Sequence, residues 1–198
     1  MTRILIADDH AVVRRGLRQI LAENFPRVVI GEGADAPEAL KEARQHEWDI
    51  VILDLSLGGR SGLDVLKELK ARRPKLPVLI LSIHSEDQYA ARALKAGASG
   101  YLMKEAAPEE LVRAVRKALR GGRYVSTAFA EKMATDLGRE VERPAHEALS
   151  DREDQVLRLI ASGKSSSEIA EMLGVSVKTV TTYRSRVGRS SASSARPT

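Results

Sequence analysis

The stretch IVILDLS, residues 50–56, combines a strand pattern with a carboxylate at its end. Four consecutive apolar residues without alternation are typical of a strand that is buried on both faces, as in a parallel sheet. Asp54 follows them directly, and a charged group at the end of a buried strand needs a partner. The stretch therefore predicts a sheet with two covered faces and a polar site at its edge.

The same apolar pattern recurs along the chain, and each run is followed by a segment with helical periodicity. The runs lie at about residues 3–8, 28–31, 49–54, 77–82 and 99–103. Strands that alternate with helices predict a parallel sheet with helices on both faces. We therefore expect an α/β fold with a doubly wound, five-stranded sheet in the first part of the chain.

Polar side chains stand at the ends of several of these predicted strands. Asp8 and Asp9 follow the first strand, Asp54 ends the third, Ser82 ends the fourth, and Lys104 follows the fifth. The carboxyl ends of parallel strands share one edge of the sheet, so these residues should converge. Three carboxylates at one edge need a cation, and oxygen ligands suit Mg²⁺. Taken singly, each residue could be a helix cap or a solvated side chain, but that does not explain their common edge.

The converging residues predict phosphoryl chemistry. Asp54 is the candidate nucleophile, because its carboxylate would lie beside the cation. Lys104 would act as a point charge on a dianionic phosphoryl group, and the Ser82 hydroxyl would donate a hydrogen bond to it.

Residues 1–122 resemble the receiver domain of a two-component response regulator. The resemblance rests on an acidic pair after the first strand, an Asp after the third, a Ser after the fourth, and an aromatic residue and a Lys at the fifth: Asp8, Asp9, Asp54, Ser82, Tyr101 and Lys104. It implies a flavodoxin-like sheet of strand order 2-1-3-4-5 and phosphorylation of Asp54 by a sensor histidine kinase. It implies no enzymatic activity apart from this self-directed phosphoryl transfer and autodephosphorylation.

The resemblance also implies a metal-ligand set. Asp9 and Asp54 would bind Mg²⁺ directly, together with the backbone carbonyl of Ser56. Asp8 would help through a water molecule.

Two further features of this domain follow from the resemblance. Ser82 and Tyr101 would form a switch pair, with the hydroxyl moving toward the phosphoryl group and the ring turning inward. The loop after the phosphoacceptor usually reads Met-Pro-Gly in this family, whereas residues 57–60 here read LGGR. Two glycines in place of a proline predict a more mobile loop in the unbound state.

One motif suggests a different ligand. Residues 31–36 read GEGADA and fit the G-x-G-x-x-A pattern of dinucleotide-binding domains. Glu32 and Asp35 would face the pyrophosphate, however, and the motif follows the second strand instead of the first. We therefore expect no dinucleotide at this position.

The last fifty residues carry the pattern of a small helical domain. Three helix starts are predicted from capping residues, namely Ser150 with Glu153, Ser165 with Glu168, and Ser176 before Val177. Gly163 and Gly174 stand where the first two helices should end. A small shared core is expected from Leu157, Ile160, Ile169, Met172, Leu173, Val175 and Val180.

The third of these helices has a basic, polar face. Val177 and Val180 should point inward, which leaves Lys178, Thr181 and Thr182 on the opposite face. This geometry is that of a helix-turn-helix, whose exposed face reads DNA. The residues expected to contact base edges are Lys178, Thr181 and Thr182, and those expected to contact phosphates are Tyr183, Arg184 and Arg186.

Residues 148–187 resemble the LuxR-type helix-turn-helix of NarL/FixJ-type response regulators. The resemblance implies a homodimer on promoter DNA, favoured by phosphorylation. It also implies a fourth helix, but residues 188–198 read GRSSASSARPT, which contains no large apolar residue and predicts a disordered tail. Residues 123–147 are expected to form a linker with one helix, FAEKMATDL.

Composition narrows the function classes further. The absence of cysteine excludes disulfides, iron–sulfur clusters and thiolate zinc sites. No stretch approaches the roughly 20 apolar residues of a membrane helix, so we expect a cytoplasmic protein with no membrane partner. The net charge is +5, and residues 174–198 contain five basic residues and no acid, which favours a polyanionic partner.

Two functional hypotheses follow. The first is a transcriptional regulator whose DNA binding is controlled by phosphorylation. The alternative is a receiver that accepts phosphoryl groups but does not bind DNA, and that acts as a phosphate sink or a protein-interaction module, because the fourth helix is missing.

Overall fold

A computed structural model describes residues 1–57, 60–137, 156, 159–173 and 175–184. The chain divides into two compact units, Met1–Leu137 and Gly138–Thr198. Among the described residues, no helix combines the length and the apolarity that a membrane span requires.

The first unit is built on a parallel sheet. Its strands are β1 (Thr2–Ala7), β2 (Val28–Gly33), β3 (Ile50–Asp54), β6 (Val78–Ser82) and β7 (Gly100–Met103). Their order is β2-β1-β3-β6-β7. Because the two short strands between β3 and β6 form a separate hairpin, β6 and β7 are the fourth and fifth strands of this sheet, and the order is the predicted 2-1-3-4-5. All neighbouring pairs are parallel, so the flavodoxin-like topology is confirmed.

Helices cover both faces of this sheet. They are α1 (Ala11–Asn24), α2 (Ala36–Gln45), α3 (Gly62–Arg72), α4 (Glu86–Lys95) and α5 (Pro108–Leu119). Successive strand residues point to opposite faces. Accordingly, Val51 and Leu53 join a core with α2, α3 and α4, whereas Ile50 and Ile52 join a core with α1 and α5. This division explains why the strand reads as a continuous apolar run.

A short antiparallel hairpin follows the central strand. Its strands are β4 (Ser56–Leu57) and β5 (Arg60–Ser61). Leu57 is buried, and the Ser61 hydroxyl accepts a hydrogen bond from the backbone N–H of Leu63, which caps α3. The glycines to which greater mobility was attributed, residues 58 and 59, lie outside the described residues.

The segment after residue 122 packs on the first unit. The backbone of Tyr124 exchanges hydrogen bonds with the start of β7, donating to Ser99 O (2.8 Å) and accepting from Tyr101 N (2.9 Å). Helix α6 (Thr127–Leu137) confirms the predicted helix in this region, and its Phe129 side chain is buried in the core beneath α4. Residues 123–137 thus belong to the first unit by their contacts, although the sequence assigned them to a linker. The remaining linker residues, 138–147, lie outside the described residues.

The second unit is helical in its described parts. Residues 159–161, α7 (Ser166–Leu173) and residues 177–184 are helical. The predicted capping box is present, because the Glu168 carboxylate accepts from Ser165 N (2.8 Å) and the Ser165 hydroxyl accepts from Glu168 N (3.3 Å). The Ser176 hydroxyl accepts from Thr179 N (3.1 Å), which confirms the third helix start. The first predicted cap, at Ser150, lies outside the described residues, as do residues 174 and 188–198.

The small core is largely as predicted, with two corrections. Its buried residues are Val156, Ile169, Ala170, Leu173 and Val180, with Leu159, Ile160, Val175 and Tyr183 packed against them. Met172 and Val177 were expected inside but are 53% and 46% exposed. The buried stripe of α7 runs through Ile169, Ala170 and Leu173, and that of the 177–184 helix runs through Val180 and Tyr183, so both residues lie roughly 100° away from the core. Residue 157 lies outside the described residues.

Candidate functional site

The five predicted residues at the strand ends converge on one edge of the sheet. The Lys104 ammonium lies between two carboxylates, with Nζ 2.7 Å from Asp8 Oδ2 and 2.8 Å from Asp54 Oδ2. Both carboxylates are only 2% exposed. Ser82 is fully buried at the end of the neighbouring strand β6. The backbone N–H of Lys104 donates to Ser82 O (2.8 Å), which ties these two residues to each other.

The negative charges of Asp8 and Asp54 at this edge are offset by the ammonium group of Lys104, which contacts both carboxylates. Burial raises the pKa of Asp54, although the hydrogen bond and positive charge of Lys104 oppose the rise. Burial alone would lower the pKa of Lys104, but the hydrogen bonds and charges of Asp54 and Asp8 outweigh it and the pKa is raised. Lys104 is therefore held in its charged form beside a carboxylate that is costly to bury.

The acidic cluster can hold a divalent cation. One ligand atom from each of Asp8, Asp9, His10 and Asp54 lies within 4.8 Å of the others. Carboxylate oxygens in this number fit Mg²⁺, which prefers oxygen ligands and usually takes only a few of them from the protein. Asp9 is the most accessible carboxylate of the three, with a side chain 33% exposed.

Three contacts around the site were not predicted from the sequence. His10 Nδ1 lies 2.6 Å from Asp9 Oδ1 and so joins the acidic cluster. Arg14 Nη1 donates to the backbone carbonyl of Asp8 (2.7 Å) and anchors the loop. At Gly62, a Cβ atom would lie 2.1 Å from Asp54 O, so only glycine fits against the Asp54 backbone. The adjacency of His10 to the acidic pair was the one sequence signal for these contacts.

Ser56 contacts the Asp54 carboxylate through its backbone. Its N–H donates to Asp54 Oδ1 (3.2 Å), which fixes the carboxylate orientation from the side opposite Lys104. The other Asp54 oxygen is the one that Lys104 contacts.

The predicted switch pair is connected through one loop. The Ser82 hydroxyl accepts from His84 N (3.1 Å), and the Tyr101 hydroxyl donates to His84 O (2.8 Å). Tyr101 is fully buried, and burial is the main cause that raises its pKa. The ring of Tyr101 is therefore turned inward, and its hydroxyl is bonded to the loop between β6 and α4.

The dinucleotide motif has a structural explanation. Asp35 caps α2 by accepting from Glu38 N (2.8 Å), and the Glu38 carboxylate accepts from Ala34 N (2.9 Å), so these backbone donors are occupied. Glu32 pairs with Arg14 and Arg18, and the hydrogen bond from Arg18 is the main cause that lowers its pKa. The glycines make room for packing partners and not for a pyrophosphate, because a Cβ at residue 33 would meet the α2 backbone at 2.7 Å.

The 177–184 helix presents the predicted polar face. Lys178, Thr181, Thr182 and Arg184 are exposed, whereas Tyr183 is half-buried against the core. The hydroxyls of the two threonines donate to backbone carbonyls four residues earlier, at 2.9 and 3.0 Å. Arg186 lies outside the described residues.

Two family profiles match the chain, one for each unit. Residues 4–116 match the response regulator receiver domain, and residues 147–189 match the bacterial regulatory proteins of the luxR family. The first match alone spans more than half of the chain. The chain belongs to the response regulators. This response regulator combines a receiver domain with a LuxR-type DNA-binding domain, as the NarL/FixJ-type resemblance implied.

Relatives of the same architecture match this response regulator over most of their length. Response regulator UvrY of Escherichia coli K12 is 36% identical over 188 residues, which is 94% of this chain and 86% of UvrY. Response regulator GacA of Pseudomonas aeruginosa is 34% identical over 94% of this chain and 88% of GacA. The oxygen regulatory protein NreC of Staphylococcus carnosus is 37% identical over 192 residues, 93% of this chain and 88% of NreC.

Solved structures of response regulators are also similar to this chain. RcsB of Salmonella enterica serovar Typhimurium, bound to the promoter rprA in the presence of the phosphomimetic BeF₃⁻, has a TM-score of 0.68 at 27% identity and covers 96% of this chain and 92% of that one. A LuxR-family response regulator from Aurantimonas has a TM-score of 0.64 at 36% identity, over 70% of this chain and 100% of that one.

Proposed function

We propose that Asp54 accepts a phosphoryl group from a sensor histidine kinase and that this modification controls DNA binding by the second unit. The observation that carries the proposal is the Lys104 ammonium in contact with the buried Asp54 carboxylate, at an edge where three carboxylates stand within reach of one cation. Response regulators are typically not enzymes, and the only chemistry proposed here is transfer to and loss from Asp54.

Each site residue has a role in this transfer. An Asp54 carboxylate oxygen attacks phosphorus, a P–O bond forms as the P–N bond to the kinase imidazole breaks, and the leaving imidazole takes up a proton. Mg²⁺, held by Asp9, Asp54 and the Ser56 carbonyl with Asp8 acting through water, would supply charge neutralisation for the phosphoryl oxygens. Lys104 adds a second positive charge.

The switch pair would carry the signal away from the site. The Ser82 hydroxyl would donate to a phosphoryl oxygen and release its bond from the backbone of His84. Tyr101 is bonded to the carbonyl of the same residue, so the loop before α4 would shift with it. Phosphorylation would in this way favour a homodimer on promoter DNA.

The domain assignment belongs to this proposal. The receiver would comprise residues 1–122, and the predicted linker 123–147, whose first part packs in the same unit, would lead to the DNA-binding domain 148–187 and the tail 188–198. Lys178, Thr181 and Thr182 would contact base edges, while Tyr183, Arg184 and Arg186 would contact phosphates. A cytoplasmic location follows from the proposed partners, because the protein must reach both the kinase that donates the phosphoryl group and the promoter DNA.

The transfer step is tested by intact-mass measurement. The full chain is incubated with acetyl phosphate and Mg²⁺, and we expect one added phosphoryl group. Asp54→Asn should abolish the addition, whereas Asp64→Asn on α3 should leave it unchanged. Equal labelling of the Asp54→Asn protein and the wild type would refute Asp54 as the acceptor.

The DNA-binding step is tested by selection from a library of duplexes with randomised centres, with and without BeF₃⁻ and Mg²⁺. We expect a selected sequence that the wild type binds more tightly with BeF₃⁻. Lys178→Ala should lose the preference for that sequence by on the order of 1–3 kcal/mol. The low apolar content of residues 188–198 favours the alternative function, a receiver without DNA binding, and failure to select any sequence while Asp54 is still labelled would support it.

A further inference from the structure

Two adjoining hollows on the first unit are lined by cationic side chains. They lie at the carboxyl-terminal end of α5, share Gly122 and have volumes of about 400 and 370 Å³. We call them together the basic groove, and the exposed cations that line it are Lys75, Arg113, Arg116, Lys117, Arg120 and Arg123. No acidic residue is among its lining residues in the described part of the chain.

The charge of the groove exceeds what helix capping explains. Cations in the last turn of a helix offset its dipole, and one or two are enough for that. At the ends of α2 and α3 such cations also have an acidic partner, because Arg44 and Arg72 both lie within 4.0 Å of the Glu68 carboxylate. The exposed cations of the basic groove form no ion pair with any carboxylate that the structure describes.

Two of these side chains contact neighbouring aromatic rings. The Arg116 guanidinium lies 5.6 Å from the centre of the Phe25 ring and donates to Asn24 O (3.3 Å). Lys117 Nζ lies 5.8 Å from the centre of the Tyr124 ring. Side chains that are ordered before binding lose less entropy when they bind.

Lys70 is a further cation in the lining of the groove. Its Nζ donates to the backbone carbonyls of Leu76 (2.6 Å) and Pro74 (3.3 Å). Burial lowers the pKa of Lys70, and the positive charge of Arg123 lowers it further. Lys70 and Arg123 are therefore like charges that lie close enough to affect each other in the lining of the groove.

We propose that the basic groove binds the phosphate backbone of the same duplex DNA that the second unit binds, without reading its sequence. Arginine predominates in the groove, and its planar fork matches phosphate oxygens. A small-molecule pocket would instead be enclosed and mainly apolar. The inference rests on the proposed function, because a second contact on a tethered polymer gains from a high effective concentration.

The test is the salt dependence of binding to a 30-base-pair duplex of random sequence, measured by fluorescence anisotropy on the full chain. The groove variant combines Lys75→Gln, Arg120→Gln and Arg123→Gln, three side chains for which the structure gives no hydrogen bond or ion pair. The control combines Arg15→Gln, Lys41→Gln and Lys95→Gln, which are exposed cations of α1, α2 and α4. Both variants have the same net charge, and thermal melting verifies that each is folded.

If each groove cation contacts one phosphate, the slope of log affinity against log salt should fall by about 2.7. Between about 50 and 200 mM salt, the wild type should then lose about 40-fold more affinity than the groove variant. The control should keep the wild-type slope. Equal slopes for the groove variant and the control would overturn the proposal.

Two further outcomes distinguish the groove from its alternatives. If the selected sequence failed to outcompete random DNA, that result would count against the proposed function alone. The proposal about the groove would not be affected, because the slope of log affinity against log salt on random DNA measures only contacts with the phosphate backbone. Tight binding of tripolyphosphate to the wild type but not to the groove variant, with equal duplex slopes, would assign the groove to a small polyphosphate and overturn the assignment to DNA.

Discussion

At the scale of single residues, the site depends on one ammonium group that contacts two buried carboxylates. Lys104 lies within 2.8 Å of both Asp8 and Asp54, which would otherwise repel each other at the sheet edge. In the proposed function, the same positive charge would stabilise a phosphoryl group on Asp54. The carboxylate that ends the central strand is therefore tolerated because an internal cation already accompanies it.

Gly62 is the residue whose substitution should damage the site most directly. Gly62→Ala places a Cβ atom 2.1 Å from Asp54 O, so the backbone must shift. We expect a loss of about 1–3 kcal/mol in the free energy of unfolding, and slower labelling of Asp54. Urea unfolding and intact-mass measurement check the two effects.

Gly16→Ala is the matched control. A Cβ at Gly16, inside α1, meets nothing within 4 Å, so this variant should be stabilised by about 0.5–1 kcal/mol through the better helix propensity of alanine. If Gly62→Ala behaved like Gly16→Ala, close packing against the acceptor would not be required.

Asp54→Asn should stabilise the first unit at neutral pH in the absence of Mg²⁺. Burial raises the pKa of Asp54 in the folded state, so its contribution to stability is present below the ordinary pKa and is lost as the pH rises through the raised value. The neutral amide avoids that loss, and we expect a gain on the order of 1 kcal/mol. Urea unfolding in EDTA should show the gain shrinking as the pH falls toward 3.8. A gain independent of pH would contradict this explanation.

At the scale of secondary-structure elements, α6 is anchored to α4 and to the core. Ser126 hydrogen-bonds to Glu86 at the start of α4, and Lys132 Nζ lies 2.9 Å from Asp87 Oδ1. Phe129 is buried in the core. These contacts connect the segment that leads to the second unit with α4, the helix that follows the loop containing His84.

Phe129→Ala should therefore cost stability in the first unit. Removing a buried aromatic ring typically lowers the free energy of unfolding by about 3–5 kcal/mol. Met133→Ala, on the same helix but 39% exposed, is the control and should change it by roughly 0.5 kcal/mol. Urea unfolding of both full-length variants decides the question, and equal small effects would mean that α6 does not add to the core.

The capping box of α7 should be measurable in the second unit. Ser165→Ala removes the acceptor for Glu168 N and should cost about 1 kcal/mol, whereas Ser167→Ala within the helix should have little effect. The bonds to Ser165 lower the pKa of Glu168 from 4.5 to about 2, so its stabilising contribution is present above 4.5 and is lost as the pH falls toward 2. Hydrogen exchange of the Ile169 and Leu173 amides in the full chain reports both effects. Equal exchange in the two variants would contradict the role of the cap.

At the scale of the whole molecule, the second unit has a much smaller core than the first. Five residues are buried in its described part, and residues 188–198 contain no large apolar side chain that could add to them. Replacing residues 188–198 by an amphipathic fourth helix should add about 1.5–3 kcal/mol for each large side chain that it buries. Melting of the second unit and affinity for the selected duplex should both rise, while labelling of Asp54 stays unchanged. Unchanged melting and affinity would show that the present tail is sufficient.

The sequence by itself determined the architecture and the edge of the sheet at which the polar residues converge. Apolar periodicity predicted the alternation of strands and helices, and the position of polar residues at strand ends predicted that Asp54, Ser82 and Lys104 would converge. The capping residues Ser165 and Ser176 predicted two of the helix starts. These features can be predicted because they depend only on the spacing of residues along the chain.

The tertiary structure decided which atoms meet at each of these places. The bridge from Lys104 to both carboxylates, the fit of Gly62 against Asp54 and the burial of Phe129 join residues that are far apart in the chain. Met172 and Val177 were predicted inside because spacing alone does not fix the rotation of a helix about its axis. That rotation is set by the neighbour against which a helix packs, so only the three-dimensional arrangement could decide it.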